Sequence, residues 1–194
     1  MYKLRADTPD AWAQCVVDNF DEFLLEHAAA ERKAGAAAKH FAVRYRDKPE
    51  LIDVMLEIAI EELEHFRQVF HLLRDRGQTL GEDAKNPYMN RLLGHARSSG
   101  LERMLDRLLI GSITEYRGCE RFAILSRKLE GDNADEELVV FYRDLAADDS
   151  RHRAAYYEMA CRYVDDDRVD ARLDAFLDRE AEIVEDLGVR PALH

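Results

Sequence analysis

The chain has 194 residues, of which 47% are hydrophobic and 35% are charged, a composition typical of one globular domain spanning residues 1–194. Its formal net charge of −12 argues against non-specific nucleic-acid binding, because such binding depends on Lys and Arg side chains that neutralise phosphates. No apolar run approaches the roughly 18 residues of a membrane span, and the N-terminus lacks the apolar core of a signal peptide. We therefore predict a cytoplasmic protein with no membrane partner.

Proline and glycine are sparse and occur in groups, and the stretches between these groups are rich in Ala, Leu, Glu and Arg. Such stretches favour helix from end to end, so the predicted fold class is all-α. The predicted helices, in chain order, cover about 9–45 with a bend near residue 21, 49–76, a short helix after residue 87, 98–130, 134–164 and 170–187.

Two of the long helices carry an acid and a histidine inside an apolar stripe. In the second and fourth long helices the apolar residues recur at alternating spacings of four and three, which is typical of a helix-bundle seam. Glu62 and His65 interrupt the first of these seams, and Asp149 and His152 interrupt the other. The i, i+3 spacing points both members of a pair the same way from adjacent turns, so each pair can share in ligating one metal ion.

The other two long helices each place one glutamate, Glu31 and Glu115, in the middle of their seam. Burying a carboxylate without compensation costs several kcal/mol, so four of them predict cations drawn from solution. One Glu from each of two helices plus an acid-x-x-His from each of two others is the ligand set of di-iron and di-manganese bundles. We therefore predict a ferritin-like four-helix bundle with an additional C-terminal helix and two bound metal ions.

Some neighbouring residues are weaker ligand candidates. His27 lies one turn before Glu31, and we expect it to be a core or supporting histidine rather than a ligand. Glu120 is the main competitor to Glu115, but it lies about 140° around the helix. We expect Glu120 to bind an arginine such as Arg117 or a neighbouring helix.

Two glycines of the third long helix flank Glu115. Gly111 and Gly118 each lie about one turn from it. Because glycine has no side chain, we interpret these positions as vacant volume where a substrate or oxygen enters.

The chain also resembles a known family over nearly its whole length. The stretches LRADTPDAWAQ, FLLEHAAAERKAGAAA, RYRDKPELIDVMLEIAIEELEHFRQV, GSITEYRGCERFAIL and FYRDLAADDSRHRAAYYEMA resemble, in order and spacing, the MiaE family of tRNA hydroxylases. The resemblance is most specific in EELEHF and in the E-x-R-x-CERF pattern. It implies a non-haem di-iron centre that uses O2 to hydroxylate the isopentenyl group of 2-methylthio-N6-isopentenyl adenosine next to the tRNA anticodon.

This resemblance implies a set of iron ligands and an electron donor. The ligands carry over onto Glu31, Glu62, His65, Glu115, Asp149 and His152. One position departs from the family, which normally has Glu-x-x-His in the fourth long helix where this chain has Asp149. The aspartate is one methylene shorter, which leaves its coordination mode open. Because the chain has no flavin or iron–sulfur motif, the resemblance also implies an external reductase as a partner.

The RNA contacts and the substrate remain open at this point. The candidate phosphate contacts are Arg44, Arg46, Lys48, Arg127, Lys128, Arg151 and Arg153. Each of them is also compatible with an ordinary solvated surface charge. Two alternatives to a tRNA hydroxylase are a ferritin-like di-iron oxidase or oxygenase acting on a small molecule or peroxide, and a metal-free helical interaction module.

Overall fold

The computed structural model of the chain describes residues 2–82, 85–130 and 135–194. Within these residues the chain forms seven helices and no strand, as the sequence predicted for an all-α protein. The helices are α1 (Asp10–Asp18), α2 (Phe20–Arg44), α3 (Pro49–Asp75), α4 (Pro87–Gly94), α5 (Gly100–Leu129), α6 (Glu136–Tyr163) and α7 (Asp166–Leu187). Across the parts of the chain that the structure describes, none of these helices combines the length and apolarity needed to cross a bilayer.

The helix boundaries differ from the predicted ones in two places. The predicted first helix is two helices, because Asn19 between α1 and α2 leaves helical geometry with φ −130° and ψ 44°. Asparagine favours such breaks, since its side chain competes for backbone hydrogen bonds. The last helix begins at Asp166, before the predicted start at residue 170. The predicted start of the fourth long helix at residue 134 lies outside the described residues.

The chain divides into two compact units, each built on one pair of helices. The α2–α3 unit comprises residues 16–85 and 191–193, and the α5–α6 unit comprises the segment ending at Cys15, residues 86–190 and residue 194. The prediction of a single domain stays a prediction.

Both helix pairs are antiparallel. The short connection between α2 and α3 favours antiparallel neighbours, and Gly35 of α2 lies against Ala59 and Leu63 of α3. In the other unit, Ser126 near the end of α5 donates a hydrogen bond of 3.0 Å to the carbonyl of Val139 near the start of α6. Each pair therefore brings the middle of one helix beside the middle of its neighbour.

A buried arginine ties α5 to α7 and to the N-terminal segment. Arg117 and Glu180 are both fully buried, and Nε and Nη2 of Arg117 donate to the two Glu180 carboxylate oxygens at 2.8 and 3.0 Å. The same guanidinium donates to Glu120 at 2.5 Å and to the Ala6 carbonyl at 2.7 Å. Its donors are therefore shared among three parts of the α5–α6 unit.

We expect the substitution Glu180→Gln to destabilise the protein by about 3 kcal/mol, because removing one partner of a buried ion pair leaves the charge of Arg117 only partly compensated. The measurement is urea unfolding of the purified protein. The matched control is Asp186→Asn on the same helix, which removes an exposed pair with Arg91 at 2.7 Å. Exposed pairs contribute at most about 1 kcal/mol, so equal losses in the two variants would contradict the role of Glu180.

Candidate metal centre

The α2–α3 unit brings three of the predicted ligands together. Nδ1 of His65 lies 3.8 Å from a carboxylate oxygen of Glu31 and 3.9 Å from one of Glu62. One potential ligand atom from each of the three lies within 4.8 Å of the other two. Glu62 and His65 reach this position because the i, i+3 spacing puts them on the face of α3 that packs on α2. We call these three residues the α3 triad.

His27 supports the α3 triad from the preceding turn of α2. The imidazole is fully buried, and its Nε2 lies 2.7 Å from Oε1 of Glu31. Burial raises the pKa of Glu31, but the hydrogen bond with His27 and the neighbouring His65 imidazole lower it by more, so the pKa of Glu31 lies well below its usual range. His27 therefore holds an ionised Glu31 in place, which agrees with its predicted role as a supporting histidine.

The α5–α6 unit brings the other three predicted ligands together. Nδ1 of His152 lies 3.6 Å from a carboxylate oxygen of Glu115. Potential ligand atoms of Glu115, Asp149 and His152 lie within 4.8 Å of one another. We call these three residues the α6 triad.

The donor atoms of both triads fit metal ions. The six side chains are buried, with exposed fractions between 2 and 8%. The three His-to-carboxylate separations of 3.6 to 3.9 Å exceed the hydrogen-bonding range of about 2.7 to 3.2 Å. Two ligands bonded at about 2.1 Å to a shared ion are separated by at most about 4.2 Å. Carboxylate and imidazole donors suit iron, zinc or manganese.

The competing acids are engaged elsewhere. Glu120 accepts hydrogen bonds from Arg117 and Thr8, as expected for a residue off the seam. Asp148, next to Asp149, pairs with Arg151 at 2.6 Å. The histidines His40, His71 and His95 are exposed.

The interpretation of the two helical glycines as vacant volume is wrong. A Cβ built on Gly111 would lie 2.8 Å from the ring of Tyr156, and one built on Gly118 would lie 2.2 Å from Oδ2 of Asp149. The missing side chains are replaced by atoms of α6. Sequence spacing on α5 alone gives no signal of what fills this space, because the occupant comes from the neighbouring helix.

His194 is a buried residue near the α6 triad that the sequence reasoning missed. Its Nε2 lies 3.2 Å from the Thr114 carbonyl oxygen, and its ring stacks on Tyr88 with centroids 5.5 Å apart. A histidine outside the long helices has no periodic pattern that could have revealed its burial.

An all-α chain with buried acid-x-x-His pairs and further buried glutamates is typical of the ferritin-like class of metal-binding carboxylate proteins. A solved structure described as "Protein 43 with aldehyde deformylating oxygenase activity from Synechococcus" is 31% identical, with a TM-score of 0.91, and the match covers 100% of this chain and 96% of that one. This likeness confirms the predicted ferritin-like four-helix bundle with an additional C-terminal helix. Residues 2–194 match the family described as tRNA-(MS[2]IO[6]A)-hydroxylase (MiaE), and the chain belongs to that family.

Two curated relatives carry the same name, tRNA 2-(methylsulfanyl)-N(6)-isopentenyladenosine(37) hydroxylase. The protein of Pseudomonas putida is 34% identical over 163 residues, which is 84% of this chain and 77% of the relative. The protein of Salmonella typhimurium is 32% identical over 135 residues, which is 70% of this chain and 48% of the relative's own length.

We expect His65→Ala and His152→Ala each to lower the iron bound per chain from about two ions, because each variant removes a donor from one triad. Iron is measured by elemental analysis after anaerobic loading with Fe(II). The matched control is His71→Ala, which changes an exposed histidine of α3. Full iron content in either triad variant would contradict the ligand assignment.

Proposed function

We propose that the protein is an O2-dependent di-iron hydroxylase that acts on the isopentenyl group of 2-methylthio-N6-isopentenyl adenosine in tRNA. The observation that carries this proposal is the pair of buried triads in a chain that matches the hydroxylase family over residues 2–194. The names of both curated relatives supply the substrate. The cytoplasmic location predicted from the sequence belongs to the same proposal.

Each triad would supply two carboxylates and one imidazole as iron ligands. When bound in the ferrous state, iron would react with O2 and provide the oxidant for a C–H bond. The chain places four carboxylates in buried positions, and His27 orients one of them, Glu31, through a hydrogen bond. Burial also keeps bulk water away from the reacting groups.

The reaction requires a source of electrons besides the substrate. Hydroxylation places one oxygen atom of O2 in the C–O–H group, and the second leaves as water after accepting two electrons and two protons. The sequence carries no flavin or iron–sulfur motif that would store these electrons. We therefore propose an external reductase as a partner.

Most of the basic residues proposed to contact RNA are exposed, but one of them is buried. Arg44 and Arg46 are exposed at the end of α2 and in the turn that follows it. Arg153 is buried, and its guanidinium lies 3.7 Å from the ring centroid of Tyr116, so the interpretation of Arg153 as a phosphate contact is wrong. Its position next to His152 on α6 turns it inward. Arg44 and Arg46 stay candidates, together with the likewise exposed Arg127, Lys128 and Arg151.

We expect the iron-loaded protein, given a chemical reductant and O2, to add one oxygen atom to the isopentenyl group of the modified adenosine in tRNA. The substrate is tRNA from a strain that lacks the hydroxylase. The measurement is mass spectrometry of the digested nucleosides, with isotopically heavy O2 to trace the oxygen. The His65→Ala variant should lose this activity, whereas His71→Ala should keep it.

Two further arms separate this proposal from a small-molecule oxygenase, which the likeness to the Synechococcus protein favours as the second candidate. The free modified nucleoside and a long-chain aldehyde are offered under the same conditions. Turnover of the aldehyde with no oxygen added to tRNA would overturn the tRNA proposal. Equal turnover of free nucleoside and tRNA would contradict recognition of the RNA backbone.

We expect the double substitution Arg44→Glu and Arg46→Glu to raise the KM for tRNA and to leave kcat and iron content unchanged. The slope of log binding constant against log salt concentration should decrease in magnitude by about one for each phosphate that the variant no longer neutralises. The matched control is Arg67→Glu, which reverses an exposed charge that pairs with Glu64 on α3. A KM equal to that of the unaltered protein would remove this surface from the proposal.

A further inference from the structure

The carboxylate of Asp149, in the α6 triad, occupies the space that a side chain at position 118 of α5 would need. Oδ2 of Asp149 lies 2.2 Å, and its Cγ 3.4 Å, from the point where a Cβ at position 118 would stand. We propose that Gly118 is a positioning residue, and that the absence of its side chain lets the Asp149 carboxylate lie against the α5 backbone in the orientation needed to bind metal. This inference rests on the proposed metal centre and adds a residue that does not itself touch the metal.

Two contacts within the α5–α6 unit restrict how the α5 backbone at Gly118 and the Asp149 carboxylate can move. The backbone of α5 is anchored next to Gly118 by the buried Arg117, which is bound to Glu180. On another side, Nε2 of His194 lies 4.0 Å from the same Cβ position. A methyl group at position 118 would therefore displace the Asp149 carboxylate rather than the helix.

Asp149 is also the one proposed ligand that departs from the family pattern. Family resemblance leads one to expect a glutamate at position 149, and aspartate is one methylene shorter. Its carboxylate oxygen occupies the volume that a Cβ at position 118 would fill. Glycine in a helix interior is less favourable than alanine, so helix stability does not explain its presence at position 118.

The test compares Gly118→Ala with Gly111→Ala, its matched control on the same helix. In Gly111→Ala the new Cβ meets the ring of Tyr156 at 2.8 to 3.0 Å, so the change affects core packing and no ligand. The measurements are anaerobic calorimetric titration of the metal-free protein with Fe(II), and thermal unfolding of the metal-free protein. We expect Gly118→Ala to weaken Fe(II) binding by about 10- to 100-fold and to keep or raise the unfolding midpoint. Gly111→Ala should lower the midpoint and retain Fe(II) affinity.

A double substitution shows whether Gly118 acts through Asp149. If it does, Gly118→Ala should cause no further loss of Fe(II) affinity in a chain that already carries Asp149→Ala. Should Gly118→Ala alone fail to fold, recovery of folding in the double variant would still support the shared volume. Unaltered Fe(II) affinity in Gly118→Ala, or two variants that both fail to fold, would overturn the proposal.

The same titration distinguishes this inference from the proposed function. An unaltered protein that binds no Fe(II) would overturn the metal centre and the positioning role together. An unaltered protein that binds Fe(II) but hydroxylates no tRNA would overturn the substrate assignment, while the comparison of Gly118→Ala with Gly111→Ala would still decide the role of Gly118.

Discussion

The burial of carboxylates inside helix pairs is the constraint on which the rest of the structure depends. Like charges in a low-dielectric interior repel and raise each other's pKa unless cations or hydrogen-bond donors compensate them. In the α3 triad the compensation is partly visible, since His27 and His65 keep the pKa of Glu31 low. In the proposed function, bound iron would complete this compensation and would also supply the reactivity toward O2.

Helix α5 carries one of the proposed ligands and also the arginines that hold this helix against its neighbours. In the pattern E-x-R-x-CERF, Glu115 belongs to the α6 triad, whereas Arg117 binds Glu180 and Arg121 packs its guanidinium 5.2 Å from the ring centroid of Trp12. One short stretch of α5 therefore carries both a proposed metal donor and the groups that hold α5 against its neighbours.

Much of the site follows from the sequence because helical periodicity is a local property. A polar residue inside an apolar stripe is visible without coordinates, and this is how Glu62, His65, Asp149 and His152 were identified as buried. Interactions between helices leave no such signal. The sequence does not predict what fills the space beside Gly118, because the occupant, Asp149, belongs to the next long helix. At Asn19 the sequence predicts only a bend, because helix propensity is favourable on both sides. The non-helical dihedral angles of Asn19, which divide the helix in two, are visible only in the structure.

The locality of the two triads has a consequence for how the protein folds. Each triad lies within one helical hairpin, so its members are brought together by contacts between residues close in the chain. Such short-range topology is associated with rapid folding. Each hairpin therefore brings its own set of donors together without contacts from distant parts of the chain.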